Sequence, residues 1–330
     1  MLLLLLPLFA LGQRTHKVLV IGIDGCRPDA LAAASTPVLD SLIATSVFSP
    51  DAMNDDITIS GPGWAAIVCG VYSPKHLVTS NNFAGNDFAT YPPIVSYIED
   101  HDASLNTASI CHWAPINTQI VGVHGDYALN VTSDSALSAE AVDYITNNDP
   151  DYLFIHFDDV DHAGHAYGFS TSVPQYISAI EGVDAYIKPI STAIMNRPTY
   201  ANENWLILLT PDHGGIGTSH GGTTIDEEKV FFIASGASVD TDTIYANSSM
   251  VNDSVFNCLG DSLELHFDGD NDRVQVPDAP NLNFGTSTDF TIECRVRGTT
   301  GGDVAIVGNK NWTSGLNQGW VFSFNTGSNV

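Results

Sequence analysis

The hydrophobic pattern of this chain alternates between short apolar runs and longer segments with a helical period. Residues 18–23 and 206–209 form continuous apolar runs, as expected for strands that are covered on both faces of a sheet. Residues 137–145 and 174–196 instead repeat apolar positions every three or four residues, which predicts helices. Strands that alternate with helices predict an α/β fold, with a mostly parallel central sheet and helices on both faces.

The pattern changes near residue 260. Residues 263–298 alternate apolar and polar positions between turn-forming residues, which predicts antiparallel strands. The sequence ends at Val330, after about half of the length that a β-sandwich needs. We therefore predict an α/β domain over 13–258 and an incomplete all-β sandwich over 262–330, and we expect the sequence to be a fragment of a longer protein.

The first twelve residues are apolar, but they are too few to span a bilayer, which needs roughly 20. Small residues near Gly12 favour a secretory signal peptide over 1–12. No basic residue precedes the apolar segment, so a start codon placed too far downstream is the alternative. The prediction is a secreted, periplasmic or cell-surface protein with no transmembrane anchor.

The composition is strongly acidic, with 38 Asp plus Glu, 11 Lys plus Arg and a net charge of −27. Phosphate backbones are held by basic patches, so a nucleic-acid-binding surface is not expected. A secreted protein in a salty medium tolerates this charge, because salt screens the self-repulsion.

Side chains with metal-binding chemistry collect after three of the predicted strands. They are Asp24 after the first strand, Asp161 and His165 after the second, and Asp212, His213 and His220 after the third. The carboxyl ends of parallel strands meet at one edge of a sheet, where binding sites collect. Carboxylates gathered there are costly to desolvate unless cations are bound between them. Asp and His ligands without paired Cys favour zinc, with manganese or another divalent ion as the lesser alternative.

Ser60 precedes Gly-Pro-Gly and an apolar helix, so its hydroxyl lies where backbone amides and the helix dipole favour an anion. From the residues alone, Ser60 is either a nucleophile or simply the helix cap. With Ser60 included, the candidate ligands are enough for two ions, and two ions roughly 4 Å apart are the usual device for displacement at phosphorus.

Six motifs together resemble the alkaline phosphatase superfamily, in the branch of type I phosphodiesterases and nucleotide pyrophosphatases. They are IDGCRPDAL at 23–31, TISGPGWAAIVCGVYSPKH at 58–76, SNNF at 80–83, DHAGH at 161–165, PDHGG at 211–215 and SHGG at 219–222. The resemblance implies one metal ion held by Asp161, His165 and His220 and another held by Asp24, Asp212 and His213, with Ser60 as the bridging nucleophile. It also places Asn81 near the substrate. Arg27 is a basic residue beside these motifs and is predicted to bind substrate as well.

Three positions depart from this branch. Gly63 and Trp64 stand where nucleotide pyrophosphatases usually carry Asn and His, and Leu77 replaces a glycine, so the phosphate pocket and the leaving-group pocket both differ. The hypothesis is a secreted two-metal hydrolase of phosphate esters, in which Ser60 attacks phosphorus and water then hydrolyses the phosphoryl-enzyme. The scarcity of basic residues near the motifs favours a diester or pyrophosphate over a monoester.

Two alternatives stay open. A sulfatase shares the superfamily, and Ser60 and Pro62 fit its signature, but Trp64 occupies the position of the signature arginine. An inactive scaffold is the other alternative, although every expected ligand position is filled. It would stand beside a C-terminal segment that resembles the start of a laminin-G or concanavalin-like domain, for which a glycan is the candidate partner.

Overall fold

The computed structural model describes residues 14–245, 304–308 and 321–324 of the chain. Within residues 14–245, eight strands form one sheet: β1 (Thr15–Ile23), β2 (Ser46–Met53), β3 (Thr107–Cys111), β4 (Tyr127–Asn130), β5 (Tyr152–Phe157), β6 (Glu203–Thr210), β7 (Lys229–Gly236) and β8 (Asp242–Thr243). The α-helices of the same residues are α1 (Pro28–Ala33), α2 (Pro37–Ile43), α3 (Ser60–Cys69), α4 (Ser73–His76), α5 (Ile94–His101), α6 (Asp134–Asn147), α7 (Asp159–Tyr167), α8 (Pro174–Met195) and α9 (Ile225–Glu228). A π-helical segment (Ile116–Val121) and a 3-10 turn (Tyr200–Asn202) complete these elements.

The strands lie in the order β4-β3-β5-β1-β6-β7-β2-β8. The five neighbouring strands from β4 to β6 are parallel, whereas β7 runs antiparallel to both β6 and β2. Parallel neighbours need crossover connections, and helices supply them. The prediction of an α/β fold with a mostly parallel sheet is confirmed.

Alternate side chains of β1 and β5 enter two separate apolar cores, as the period of two in a pleated strand requires. Leu19 and Ile21 pack with helices α1, α2, α6, α7 and α8 on one face of the sheet. Phe154 packs with Trp64 of α3, with α5 and with the π-helical segment on the other face. Helices therefore cover both faces, as predicted.

Both helices predicted from periodicity are present. Helix α6 extends beyond the predicted 137–145 at both ends, and α8 closely matches the predicted 174–196. Helix α6 begins after Ser133, whose hydroxyl accepts the Ala136 N–H at 3.1 Å and so caps the helix. Helix α8 begins with Pro174 at its first position, where the missing N–H costs nothing, and it buries Ile180 and Ile187. No helix of the described residues has both the length and the apolar character needed to cross a bilayer.

The chain divides into two units, Met1–Val255 and Phe256–Val330. Of the second unit, the structure describes strands β9 (Val304–Gly308) and β10 (Val321–Phe324), which pair antiparallel. The rest of the β-sandwich predicted over 262–330 lies outside the described residues, and so does the predicted signal peptide at 1–12.

Candidate active site

The candidate site lies at the carboxyl edge of three neighbouring strands, β5, β1 and β6. Asp24 directly follows β1, and Asp212 lies two residues beyond β6. Asp161 lies four residues beyond the end of β5 at Phe157, within helix α7 rather than directly at the strand end. The helix nevertheless brings Asp161 back to the same edge, where open parallel sheets collect their ligand sites.

Asp24, Asp212 and His213 form the first group of candidate metal ligands. All three are buried, and one ligand atom from each lies within 4.8 Å of the others. Nε2 of His213 lies 3.5 Å from Oδ1 of Asp24 and 3.3 Å from Oδ2 of Asp212. The side-chain amide of Asn54 donates to the Asp212 carbonyl at 2.8 Å and fixes the turn after β6.

Asp161, His165 and His220 form the second group, again with ligand atoms within 4.8 Å of one another. Asp161 and His165 are four residues apart on α7 and therefore share one helix face, with Nε2 of His165 at 3.3 Å from Oδ2 of Asp161. The rings of His213 and His220 stack with centroids 3.8 Å apart, so the two groups are adjacent. The structure thus brings together the two ligand sets that the resemblance implied.

The backbone sets the orientation of the three histidines. Their Nδ1 atoms lie at hydrogen-bond distance from backbone carbonyls: His165 from Thr218 (2.9 Å), His213 from Gly214 (2.8 Å) and His220 from Thr58 (2.8 Å). A carbonyl only accepts, so Nδ1 carries the proton and Nε2 of the neutral ring presents a lone pair to the centre. The Nε2 atoms of His165 and His220 are only 3.1 Å apart, and a cation between them would relieve the repulsion of their lone pairs.

Three carboxylate oxygens at the site are buried and have no hydrogen-bond partner: Oδ1 of Asp24, Oδ1 of Asp161 and Oδ2 of Asp212. Buried polar atoms are normally paired, because an unpaired one forfeits its hydration. Each of these oxygens belongs to one of the two groups, and each group also offers imidazole nitrogen. Carboxylate oxygen with imidazole nitrogen is a donor set that zinc and related divalent ions bind. The residues therefore fit one divalent cation in each group.

The pKa values at the site reflect the burial of several carboxylates close to one another. Burial raises the pKa of Asp24 to about 8, and the nearby Asp212 carboxylate adds to the effect. Burial raises the pKa of Asp161 to about 7, with a further contribution from Asp24. The pKa of Asp212 lies well above its ordinary value for the same reason. Bound divalent ions would reverse these shifts and keep the carboxylates ionised.

Ser60 is the first residue of α3 and is almost completely buried. Its Oγ lies 3.3 Å from Nε2 of His213, inside the cluster of candidate ligands. The helix-cap alternative is not supported, because Ile59 holds the N-cap position and no side chain caps the helix. The helix N-terminus next to Ser60 favours an anion.

Asn81 lies beside the start of α3, where its Oδ1 accepts the Gly61 N–H at 2.7 Å. A side chain at Gly61 would collide with this loop, since a Cβ there would lie 2.8 Å from Asn81 Oδ1 and 2.9 Å from the Ser80 carbonyl. The Asn81 Nδ2 group makes no hydrogen bond to the described residues. Asn81 thus offers an amide donor beside Gly61, the residue that follows Ser60.

Arg27 does not fit its predicted role in substrate binding. Its Nε and Nη2 pair with both oxygens of Asp29, and Nη2 also pairs with Asp226 at 3.0 Å. Its Nη1 donates to the carbonyls of Phe169 and Gly215. All five N–H donors of the guanidinium are therefore engaged within the protein. Arg27 ties together the loops around the site, and no donor remains for a substrate.

Trp64 and His156 contact the site, and neither was predicted to do so. The Trp64 indole donates to Oδ2 of Asp24 at 2.7 Å, and Nε2 of His156 lies 3.1 Å from the same oxygen. Burial lowers the pKa of His156 to about 4, which keeps the ring neutral. A histidine within the otherwise apolar strand β5 was the sequence signal for this contact.

His112, Asp159 and His162 form another cluster beside the site, with possible ligand atoms within 4.8 Å of one another. Nδ1 of His112 lies 2.8 Å from the buried Asp134, which also accepts the backbone N–H groups of Asp158 and Asp159. Asp134 thereby satisfies the free amides at the start of α7. His162 is largely exposed. The cluster orders the start of α7 at the edge of the site through the hydrogen bonds of Asp134.

Two family models match the chain. Residues 18–106 match the type I phosphodiesterase/nucleotide pyrophosphatase family, and residues 116–263 match the metalloenzyme superfamily. Both matches agree with the resemblance to the alkaline phosphatase superfamily. The group of Asp24, Asp212 and His213 draws on both matched regions. The second group lies entirely within the metalloenzyme match.

Two curated relatives match about three fifths of this chain. An uncharacterized pyrophosphatase/phosphodiesterase of Schizosaccharomyces pombe is 28% identical over 225 residues, which cover 61% of this chain and 45% of the relative. The bis(5'-adenosyl)-triphosphatase ENPP4 of Homo sapiens is 23% identical over 217 residues, which cover 60% of this chain and 47% of the relative. The chain thus spans about half the length of the curated relatives it matches.

Solved structures share the fold. Murine ectonucleotide pyrophosphatase/phosphodiesterase 5, in an inactive form in complex with AMP, superposes with a TM-score of 0.50 at 22% identity and covers 60% of this chain and 57% of that chain. A 2-O GAG sulfatase superposes with a TM-score of 0.56 at 14% identity and covers 68% of this chain and 65% of that chain. At these identities, the comparison establishes the alkaline phosphatase-like fold.

Proposed function

We propose that this chain is a hydrolase of phosphate esters that binds two divalent metal ions, most readily Zn²⁺, and uses Ser60 as its nucleophile. The observation that carries the proposal is the convergence of unpaired carboxylate oxygens and unprotonated imidazole nitrogens in two adjacent groups, with Ser60 Oγ 3.3 Å from Nε2 of His213. Asp24, Asp212 and His213 would hold one ion, and Asp161, His165 and His220 the other. When bound, the ions would supply Lewis acidity that offsets phosphoryl charge and lowers the pKa of the Ser60 hydroxyl.

The residues of the chain then divide the remaining work. Ser60 Oγ forms a bond to phosphorus while the bond from phosphorus to the leaving oxygen breaks, and the serine proton passes through solvent to the leaving group. In the second step a water oxygen attacks phosphorus, the bond to Ser60 breaks, and a water proton restores the hydroxyl. Asn81, whose Oδ1 accepts the Gly61 N–H, would use its Nδ2 donors to bind a phosphoryl oxygen in both steps. The N-terminus of α3 favours the same anion.

A phosphodiester or pyrophosphate is the proposed substrate class. A monoester dianion needs more cationic partners than a diester, and Arg27 has no donor left to serve as one. Lys75, the other basic residue near the motifs, is exposed on α4. The AMP bound to murine ectonucleotide pyrophosphatase/phosphodiesterase 5 supports a nucleotide phosphate as the natural ligand. Secretion, predicted from residues 1–12, is part of the proposal.

The test is to compare bis(p-nitrophenyl) phosphate with p-nitrophenyl phosphate as substrates of the Zn²⁺-loaded protein. The proposal predicts a higher kcat/KM for the diester, and loss of both activities after chelation, with recovery when Zn²⁺ is returned. A strong preference for the monoester would contradict the substrate class. A two-metal hydrolase holds two ions per chain. A measured content of less than about one ion per chain in excess zinc would therefore support the inactive scaffold instead.

A further inference from the structure

We infer that Trp64 and His156 are positioning residues, which hold the Asp24 carboxylate so that one of its oxygens is reserved for a metal ion. The inference rests on the metal site of the proposed function, but it does not depend on which ester is hydrolysed. It assigns a role to two side chains that lie outside both candidate ligand groups.

Two donors converge on a single oxygen of Asp24. The Trp64 indole N–H donates to Oδ2 at 2.7 Å, and His156 Nε2 approaches the same Oδ2 at 3.1 Å. The backbone N–H of Trp113 points at Nδ1 of His156 at 3.4 Å, which makes Nδ1 the acceptor nitrogen. The proton of the neutral His156 ring therefore resides on Nε2, and His156 donates to Asp24 as Trp64 does.

The other oxygen of Asp24 is left without a partner. Oδ1 is buried and makes no hydrogen bond, and it lies 3.5 Å from Nε2 of His213, whose proton is on Nδ1. The carboxylate is thus divided between Oδ2, which is held by the protein, and Oδ1, which faces the lone pair of a second ligand. Hydrogen bonds of this kind orient metal-binding side chains in proteins generally.

The same proton assignment excludes a competing site. Asp24, His156 and Asp158 also have ligand atoms within 4.8 Å of one another. Because the proton on His156 Nε2 is donated to Asp24, that nitrogen has no lone pair for a cation. The geometry therefore favours the group of Asp24, Asp212 and His213 as the metal site.

Gly22 makes room for this arrangement. A Cβ at Gly22 would lie 2.4 Å from Cη2 of Trp64, so any side chain there would collide with the indole. Gly22 is the residue of β1 that pairs with His156 of β5. The indole meets the His156 ring edge-on, with centroids 4.6 Å apart. The sheet register thus brings the glycine gap, the indole and the imidazole together beside Asp24.

The experiment compares Trp64→Phe with Trp205→Phe. The Trp205 indole also donates to a buried carboxylate at 2.7 Å, that of Glu203, but at the opposite end of the sheet. The two variants therefore lose the same kind of bond. Zn²⁺ affinity is measured by competition with a chromophoric chelator, and folding is checked by circular dichroism. We expect Trp64→Phe to weaken the binding of one Zn²⁺ ion by about 10- to 100-fold and Trp205→Phe to leave both affinities unchanged.

Two further variants complete the test. Trp64→His keeps a ring N–H and should recover part of the lost affinity, whereas His156→Phe removes the second donor and should also weaken one ion. If Trp64→Phe fails to fold, His156→Phe decides the matter alone. Wild-type Zn²⁺ affinity in folded Trp64→Phe, or an equal loss in Trp205→Phe, would overturn the inference. Normal Zn²⁺ binding without diesterase activity in the wild type would instead refute the proposed function and leave this inference intact.

Discussion

Gly22→Ala should disturb the candidate metal site from a position that contains no ligand. The added Cβ would lie 2.4 Å from Cη2 and 2.7 Å from Cζ3 of Trp64, whereas ordinary contacts begin at 3.4 Å. The ring or the strand must then move by about 1 Å, the difference between 3.4 and 2.4 Å. A displacement of this size carries the indole N–H from 2.7 Å to beyond hydrogen-bond range of Asp24.

Two terms set the expected loss of stability. Overpacking of a close-packed core costs about 1–3 kcal/mol, and loss of a hydrogen bond to a charged group costs about 1.5–3 kcal/mol. These terms overlap, because the movement that relieves the first causes the second. We therefore expect the free energy of unfolding to fall by about 2–5 kcal/mol.

Chemical denaturation of Gly22→Ala, Trp64→Phe and the double variant measures this loss. Phenylalanine is smaller than tryptophan, so the double variant should lose less stability than the sum of the two single changes. Gly182→Ala is the control, because a Cβ at Gly182 meets nothing within 4 Å inside α8 and alanine favours the helix. Strict additivity, or a Gly22→Ala protein as stable as the wild type, would refute the described packing of the indole.

Other predictions concern the rest of the domain. Burial alone would raise the pKa of Glu203, but hydrogen bonds led by Arg197 outweigh it and lower the pKa from 4.5 to about 2. Together these hydrogen bonds should contribute about 3 kcal/mol to the free energy of unfolding above pH 4.5, and the contribution should fade as the pH falls toward 2. Denaturation of Glu203→Gln should therefore show a lower free energy of unfolding than the wild type at pH 7, and the difference should disappear near pH 2. Leu77 adopts a left-handed conformation with φ 60°, so Leu77→Gly should raise the free energy of unfolding by up to about 1 kcal/mol. Gly70 has φ 68° and open space around it, so Gly70→Ala should lower the free energy of unfolding by a similar amount. Changes of the opposite sign in these two variants would contradict the argument from backbone strain.

The ligand positions could be predicted from sequence because they depend on local features. Asp24 and Asp212 follow apolar strands, and polar side chains at the ends of parallel strands share one edge whatever the strand order is. The spacing of Asp161 and His165 fits a helix as well as a loop, so their proximity was predicted although the element was not. These inferences needed no knowledge of which strands are neighbours.

The remaining features depend on contacts between distant parts of the chain. Arg27 is a basic residue beside a site motif, but its partners Asp226 and Gly215 meet it only in the folded protein. The contact between Trp64 and His156 likewise requires β5 to lie beside β1, with Gly22 opposite His156. Sheet order and register are tertiary properties, and no local period in the sequence encodes them.

The central claim is that Ser60 is the nucleophile between two metal ions, and turnover per bound metal ion in Ser60→Ala tests it most directly. The six proposed Asp and His ligands are unchanged in this variant, so metal content measured by mass spectrometry should equal that of the wild type. Turnover of bis(p-nitrophenyl) phosphate should fall by at least about 1,000-fold, as expected when a nucleophile is removed, and Ser60→Thr should recover part of it. Near-wild-type turnover in metal-loaded Ser60→Ala would contradict the account and indicate direct attack on phosphorus by water.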